Sequence, residues 1–311
     1  MTSDGELLAA FVVGACPDVE GATVAEHLDR CAACAAEAGP LRTAAEWLGE
    51  LAERRPPREL RARVLTAARA ARPPGDAEVD RLLAPYAAQV AAFDRLLGAL
   101  DEPHWLRPAG PHATVRDLVV HLRANDATVA GAPGVLTPDV RRGWRSQTEV
   151  LVRTVAGAGR AGLDRPVPLA GRAPLRRPLR EALTQRAFET WIHADDVRAV
   201  LGLVPEVPNP EQLMRIADFA LRLLPGALDA AGRGRPHQVV RLTLTGAERL
   251  VTLSAATPAT GSTVVAEIAL STERFCRLVA GRLTPPAGAA VTGDTGAALD
   301  FLAVAATMGC D

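Results

Sequence analysis

Residues 186–202, RAFETWIHADDVRAVLG, are the stretch that decides the predicted fold and site. Glu189 and His193 lie four positions apart in it, so their side chains share one face of a helix. A second helical segment, TVRDLVVHL at residues 114–122, supplies His121. Two imidazoles and one carboxylate form a three-ligand zinc site with an open fourth position, which is catalytic geometry. The alternative is a chance spacing, because an isolated histidine in a helix is usually a packing or surface residue.

The region from residue 76 to residue 232 has a helical pattern throughout. Leu, Val and Phe recur at steps of three and four residues in segments such as DAEVDRLLAPYAAQVAAFDRLLGAL, and Gly/Pro-containing loops separate these segments. Thr114 is the predicted N-cap of the helix that carries His121. Long amphipathic helices joined in this way predict a helical bundle.

The pattern changes at about residue 236. QVVRLTLTGAERLVTLSA alternates apolar and polar residues around Gly246, which predicts a hairpin, and STVVAEIAL predicts another strand. TERFCRLVAGR and AALDFLAVAATM have the apolar spacing of helices. Residues 236–311 are therefore expected to form a small α+β unit, and the expected fold class is mainly α with a C-terminal α+β domain.

Residues 1–54 are predicted to form short helices around a second candidate metal site. VAEHLDRCAACAAE places His27, Cys31 and Cys34 in an H-x3-C-x2-C pattern, so all three can face one way on a helix. Imidazole and two thiolates suit tetrahedral zinc, and a closed structural site needs a fourth ligand. The candidates for that ligand are Cys16 and, as oxygen alternatives, Asp18, Glu20 and Asp29. The competing interpretation is two small buried cysteines beside a surface histidine.

Residues 55–75 connect the two regions. Prolines bracket RELRARVLTAARAAR, and prolines end helices, so the segment is predicted to be a basic connecting helix. It serves either as a linker or as an arm that binds a partner.

Composition favours a globular protein of the cytoplasm. The formal net charge is -1, so no overall basic field attracts nucleic acid or an acidic membrane. All 35 cationic residues are Arg, which is typical of GC-rich genomes such as those of actinobacteria. No apolar run approaches the ~18 residues of a membrane helix, and Asp4 and Glu6 stand where a signal peptide carries positive charge. In the cytoplasm cysteines stay reduced, so Cys276 and Cys310 are expected to be small buried hydrophobes.

The two segments with the candidate ligands resemble the mycothiol-dependent maleylpyruvate isomerase family. In that family the histidine that ends the first segment and the E-x-x-x-H of the second segment hold a divalent metal, usually zinc. His121, Glu189 and His193 stand at the matching positions. Asp196 matches the acidic residue of the usual H-x-x-D continuation, where a carboxylate supports the ligand histidine.

The same resemblance implies a fold and a chemistry. The fold is a DinB-like four-helix bundle over residues 76–232, followed by a sterol-carrier-protein-type domain over residues 236–311 with its V-x-G-D turn as VTGD. The chemistry is that of mycothiol, whose thiolate attacks a small electrophile in an isomerisation or a thiol transfer. Arg282 is the candidate for an arginine that holds an acidic substrate, with a surface arginine as the alternative. His104 and His112, in the loop before the His121 helix, either border the pocket or are solvated.

Residues 14–51, GACPDVEGATVAEHLDRCAACAAEAGPLRTAAEWLGEL, resemble the zinc-binding anti-sigma domain of actinobacteria. Residues 27–34 match the H-L-x-x-C-x-x-C pattern of that domain position for position, whereas Cys16 stands where many of its members carry an apolar residue that is not a ligand. The resemblance implies that a sigma factor binds residues 1–75, and that thiol oxidation releases it in some members.

Two functions of different classes follow from these patterns. The first is a metal-dependent, mycothiol-using transferase or isomerase with a zinc-finger extension for partner binding or redox sensing. The second is an anti-sigma-like regulator whose bundle senses a thiol or a ligand. A scaffold without turnover is a third interpretation. Intact ligands favour a working metal site in each of the first two.

Overall fold

The computed structural model describes residues 4–51, 58–71, 77–135, 137–170, 175–256 and 260–309. They divide into two compact units, Met1–Pro73 and Pro74–Asp311. The chain is mainly helical, with a small mixed β-sheet in its C-terminal part, which confirms the expected fold class at that level. Within the described ranges, no helix combines the length and the apolar character that crossing a bilayer requires.

The first unit is helical and has a small core. Its elements are α1 (Asp4–Val12), α2 (Asp18–Leu28), α3 (Ala32–Leu51) and α4 (Arg58–Ala71). α1 packs on α2 and α3 through Leu8, Val24 and Ala38, which are buried. α4 confirms the helix predicted between the prolines. So small a core buries little apolar surface, and a bound metal would add substantially to its stability.

The second unit is longer and contains all the strands that the structure describes. Its first part runs through α5 (Ala77–Leu97), α6 (Glu102–Trp105), α7 (Val115–Ala130), α8 (Val140–Gly162), β1 (Pro166–Pro168), β2 (Arg176–Pro178), α9 (Leu179–Val200) and α10 (Pro210–Ala230). Its second part runs through β3 (Gln238–Leu244), β4 (Ala247–Thr252), β5 (Thr263–Leu270), α11 (Thr272–Val279), β6 (Ala290–Gly293) and α12 (Thr295–Ala305).

α9 is the central helix of this unit. α5 and α7 both pack on it, and α8 completes a bundle by packing on α5 and α7. Phe188, Trp191 and Ile192 of α9 face the core that it shares with the C-terminal sheet, whereas Ala187 and Val197 belong to two bundle cores. A helix with apolar contacts on every side has no single apolar stripe. Residues 186–200 therefore belong to the central helix of the second unit, against which its other layers pack.

The C-terminal sheet has the strand order β4-β3-β5-β6. β3 pairs antiparallel with β4 and parallel with β5, and β5 pairs antiparallel with β6. Leu244 and Ala247 close the predicted hairpin across Thr245 and Gly246, which have φ values of 46° and 86°. Two positive φ values are those of a type I′ turn, which glycine favours. α10, α11 and α12 share one apolar core with this sheet.

Two cysteines of the second unit were predicted to be buried. Cys276 lies on α11 with 0% exposure, and its thiol donates to the Leu213 carbonyl oxygen over 3.4 Å. Burial raises the pKa of the Cys276 thiol well above its ordinary value. This prediction is confirmed, whereas Cys310 lies outside the described residues.

Candidate metal sites

Three histidine side chains converge in the second unit. His121 lies on α7, His193 on α9 and His112 on the loop before α7. One nitrogen of each ring lies within 4.8 Å of those of the other two. The ring centroids are separated by 4.8 Å (His112 to His121), 5.1 Å (His112 to His193) and 5.3 Å (His121 to His193). The structure thus joins two of the three predicted ligands to His112, for which the sequence left open a position at the border of the pocket or in solvent.

The two helices hold their histidines by capping and burial. Thr114 Oγ1 accepts a hydrogen bond from the Asp117 backbone N–H over 3.0 Å, so Thr114 caps α7 as predicted. The His193 side chain is 2% exposed because α9 is enclosed, whereas the His121 side chain remains 22% exposed. The cluster is closed on the α9 side and open to solvent beside His121, where a fourth ligand would enter.

A tight turn holds His112. The His112 N–H donates to the Ala109 carbonyl oxygen over 3.1 Å, and the Ala109 N–H donates to the His112 carbonyl oxygen over 3.2 Å. Gly110 within this turn has a φ of +56°, and a Cβ atom there would lie 2.5 Å from Asp196 Oδ2. Only glycine allows both the conformation and the approach. The turn therefore rests on α9, and His112 has a defined position.

Burial keeps the His121 imidazole neutral at pH 7. Burial, together with the nearby His193 and His112, lowers the pKa of His121 to about 4, against the opposite effect of Glu189. A neutral imidazole offers a lone pair to a metal ion. The cluster can therefore bind a cation without first losing a proton from His121.

Asp196 connects His193 to the C-terminal part of the unit. Its Oδ2 lies 3.0 Å from His193 Nδ1, as the H-x-x-D spacing predicts. On its other side, Arg282 donates from Nε to Oδ1 over 3.0 Å and from Nη2 to Oδ2 over 2.7 Å. Burial would raise the pKa of Asp196, but the hydrogen bonds with His193 and Arg282 outweigh it and hold that pKa below its ordinary value. A charged carboxylate of this kind orients a metal-binding imidazole.

Arg282 is an ion-pair partner of Asp196, not the solvated surface arginine of the alternative interpretation. Its Nη1 also donates to the Ala280 carbonyl oxygen over 2.9 Å, which fixes the guanidinium at the end of α11. Its side chain retains 21% exposure. The contact with an acidic substrate stays a prediction.

Glu189, the third predicted ligand, lies in a buried ionic network. Arg186 donates from Nη1 to Glu189 Oε2, and from Nε to Asp126 Oδ1 over 2.8 Å. Asn125 Nδ2 donates to Glu189 Oε2 over 2.9 Å and lies 3.0 Å from His121 Nε2. Glu189 Oε2 is 3.9 Å from His121 Nε2, and the carboxylate is outside the group of three histidine nitrogens. Its role as a ligand stays a prediction.

The charges in this network depend on one another. Burial alone would lower the pKa of the Arg186 guanidinium, but the carboxylates of Glu189 and Asp126 raise it above its ordinary value. Burial raises the pKa of Asp126, and Arg186 opposes that rise. Arg186 and Asp126 are both fully buried. The guanidinium is therefore the charge that allows two carboxylates to lie inside the bundle.

The first unit contains the second candidate site. His27 lies in the last turn of α2, Cys31 precedes α3 and Cys34 lies in the first turn of α3, so the predicted single helix is broken between Leu28 and Ala32. The three ligand atoms nevertheless lie within 4.8 Å of one another, with His27 Nε2 3.3 Å from Cys34 Sγ. Hydrogen bonds from the Cys34 backbone and side chain lower the pKa of the Cys31 thiol. A lowered pKa favours the thiolate, which is the form that binds metal.

Cys16 is placed apart from that group. Its thiol donates to the Leu7 carbonyl oxygen over 3.6 Å, and among the described residues it is not a member of the three-atom cluster. Its role as the fourth ligand stays a prediction. The cluster as it stands is a three-donor set of one imidazole and two thiols.

Sequence patterns undervalued one residue of the bundle site. The sequence predicts for both His104 and His112 a loop position that either borders the pocket or is solvated. His104 instead pairs with Asp101 at the start of α6, whereas His112 joins the cluster. The signal that separates them is local: His112 follows a Gly-Pro pair, and a turn there gives its side chain a defined direction.

Comparison with known proteins gives a distant structural likeness. No protein-family model matches the chain. No curated protein matches it. The crystal structure of a mycothiol-dependent maleylpyruvate isomerase is similar at 17% sequence identity and a TM-score of 0.48, over 70% of this chain and 93% of that chain. A mutant of that enzyme is similar at 16% identity with the same score and coverage. A likeness at this level assigns no activity or ligand to this chain.

Proposed function

We propose that the chain is a metal-dependent, mycothiol-using isomerase or S-transferase that acts on a small electrophilic substrate. The observation that carries the proposal is the convergence of three imidazoles from α7, α9 and the turn before α7, with their nitrogens within 4.8 Å of one another. On the motif resemblance, residues 76–232 are proposed as a DinB-like bundle and residues 236–311 as a sterol-carrier-protein-type domain. Residues 1–54 add a zinc site for partner binding or redox sensing.

The residues of the bundle site fit a divalent metal. Imidazole nitrogens are ordinary ligands of zinc, and other divalent metals also accept them. His121 is neutral at pH 7, and Asp196 Oδ2 contacts His193 Nδ1. His121 and His193 hold the metal together with a third side chain, for which Glu189 and His112 both lie near. Three protein ligands leave one position for an exogenous thiol.

The chemistry divides between the metal and the chain. A bound divalent metal supplies a positive charge that keeps a thiol deprotonated at neutral pH, and the thiolate is the reactive nucleophile. Asp196 keeps His193 in one orientation through its 3.0 Å contact with Nδ1. Arg282, which is partly exposed, is the proposed cationic contact for an acidic substrate.

The test measures metal content and thiol chemistry on the full chain. The purified protein is analysed for zinc and then incubated with mycothiol, or with glutathione as the comparison thiol, and a panel of small electrophiles. His121→Ala is expected to lower turnover by about 100-fold or more, because a metal ligand is lost. His104→Ala is the matched control, since it removes a histidine of the preceding helix α6 that is outside the cluster. Metal in the bundle without turnover on any thiol would contradict the enzyme and favour a sensor.

The N-terminal cluster favours a second candidate function. His27, Cys31 and Cys34 form a metal-type donor set in a unit with a very small core. A cytoplasmic anti-sigma-like regulator that grips a sigma factor through residues 1–75 fits this arrangement, with the bundle as a thiol or ligand sensor. Co-purification of a sigma factor with the wild-type chain, lost in Cys31→Ser, would support it. A wild-type chain that purifies from its host without such a partner would contradict it.

A further inference from the structure

We propose, on the basis of the proposed function, that His112 is the third protein ligand of the bundle metal, with His121 and His193. Glu189 is then a positioning residue. The donor set of this chain is accordingly three neutral imidazoles, where the motif resemblance implies two imidazoles and a carboxylate.

The first support is the fixed position of His112. The reciprocal hydrogen bonds between Ala109 and His112 close the turn, and Gly110 lies directly against Asp196. The same Asp196 carboxylate contacts His193. The backbone that carries His112 is therefore built onto the helix that carries another ligand, which is how a preorganised site is constructed.

The second support is the mutual distance of the three rings. A tetrahedral zinc ion with bonds of about 2.0–2.1 Å places its nitrogens roughly 3.4 Å apart. The three nitrogens here lie within 4.8 Å of one another, and the rings form a nearly equilateral triangle of centroids from 4.8 to 5.3 Å. Shifts of roughly an ångström in the ring nitrogens would bring them to the separation that one zinc ion requires.

The third support is the engagement of Glu189 elsewhere. Its Oε2 accepts from Arg186 and from Asn125. Arg186 is fully buried, and if Glu189 Oε2 turned to the metal, Asp126 would be left as the carboxylate partner of Arg186 in this network. A buried guanidinium that loses half of its ionic partners is strongly disfavoured. In this assignment Glu189 holds the Asn125 amide, whose nitrogen lies 3.0 Å from His121 Nε2, in place beside the cluster.

The donor set has a chemical consequence. Three neutral ligands leave the dipositive charge of the ion unreduced by a coordinated carboxylate. The ion then stabilises a bound anion more strongly, as zinc with three histidines does when it acidifies a bound water. A thiol in the open position would ionise at a lower pH than it would on an ion with a carboxylate ligand.

The experiment compares metal affinity and ligand count in the full chain. All proteins carry Cys31→Ser and Cys34→Ser, which remove the thiols of the N-terminal cluster. Zn²⁺ affinity is measured by chelator competition, and the Co²⁺ form gives a d–d absorption spectrum. His112→Ala is expected to weaken Zn²⁺ binding by more than about 100-fold and to change the Co²⁺ spectrum, whereas Glu189→Gln weakens it by about tenfold and leaves the spectrum unchanged. His104→Ala is the control and should match the parent protein.

X-ray absorption of the zinc form of the parent protein counts imidazoles without any substitution in the site, so it does not depend on the folding of a variant. Three imidazoles support the proposal. Two imidazoles with a carboxylate, or a large loss of affinity in Glu189→Gln with none in His112→Ala, overturn the ligand assignment and leave the proposed function standing. A parent protein that binds no Zn²⁺ or Co²⁺ in the bundle overturns both.

Discussion

Replacement of Arg186 by methionine tests the buried network directly. The change keeps most of the apolar stem of the side chain and removes only the guanidinium. It leaves Asp126, which is fully buried, and Glu189, which is 4% exposed, without their shared cation. Breaking one side of a buried ion pair costs about 3–5 kcal/mol. For a unit of this size, about 4 kcal/mol corresponds to a fall in Tm of roughly 8–16 °C.

The pH dependence of this loss has a definite sign. Without Arg186, burial raises the pKa of Asp126 further above its unfolded value, because the guanidinium that opposed the rise is gone. A carboxyl group whose folded pKa is raised binds more protons in the folded state, so stability falls as pH rises above the unfolded pKa of about 3.9. The difference in unfolding free energy between wild type and Arg186→Met is therefore larger at pH 8 than at pH 5.

Urea unfolding, followed by the fluorescence of the buried Trp144 and Trp191, measures both effects. Arg153→Met is the matched control, because Arg153 pairs with Glu149 on the surface at 3.8 Å and such exposed pairs contribute about 0–1 kcal/mol. A loss below about 1 kcal/mol in Arg186→Met, or a loss of equal size at pH 5 and pH 8, would refute the buried network.

Three further measurements address other parts of the chain. The pKa of Asp94 lies below its ordinary value, because hydrogen bonding and charge from Arg141 and Arg145 outweigh its burial. Asp94→Asn should therefore lower the free energy of unfolding by about 1–2 kcal/mol at pH 7. Urea titrations at pH 7 and pH 3 should show this difference from wild type disappearing as pH falls through the lowered pKa. The Cys276 thiol should resist alkylation in the folded protein and react in urea, and rapid native labelling at that site by mass spectrometry would contradict its burial. His27→Ala should release one metal equivalent and lower the stability of the first unit, and unchanged zinc content would refute the N-terminal site.

Local patterns predicted the elements whose causes are local. The Thr114 cap and the hairpin at Gly246 depend on neighbouring residues, and both are confirmed. The strand order was outside the reach of such patterns. β3 and β5 pair in parallel although β4 lies between them in the chain, and that pairing depends on tertiary packing, which strand periodicity does not encode.

The same difference between local and tertiary causes applies to the residues of the candidate site. His121 and His193 were recognised because helical spacing and motif place them on facing helices. A loop histidine is usually solvated, and although the Gly-Pro pair before His112 indicates a turn, the contact of Gly110 with Asp196 that fixes this turn on α9 is tertiary. The ion pair between Asp196 and Arg282 joins residues that are 86 positions apart, so no local pattern contains it.

Asp196 explains why the C-terminal part belongs to the site. Its carboxylate contacts His193 of α9 and binds the guanidinium of Arg282 beyond α11. The turn at Gly110 packs directly against the same carboxylate. The hydrogen bonds from His193 and Arg282 hold its pKa below the ordinary value, so it remains an anion at neutral pH. An anion that is bound on one side by a fixed arginine can orient an imidazole on the other side without rotating. The direction of the His193 ring is therefore set jointly by the bundle and the C-terminal sheet layer, and the metal chemistry proposed for the bundle requires both.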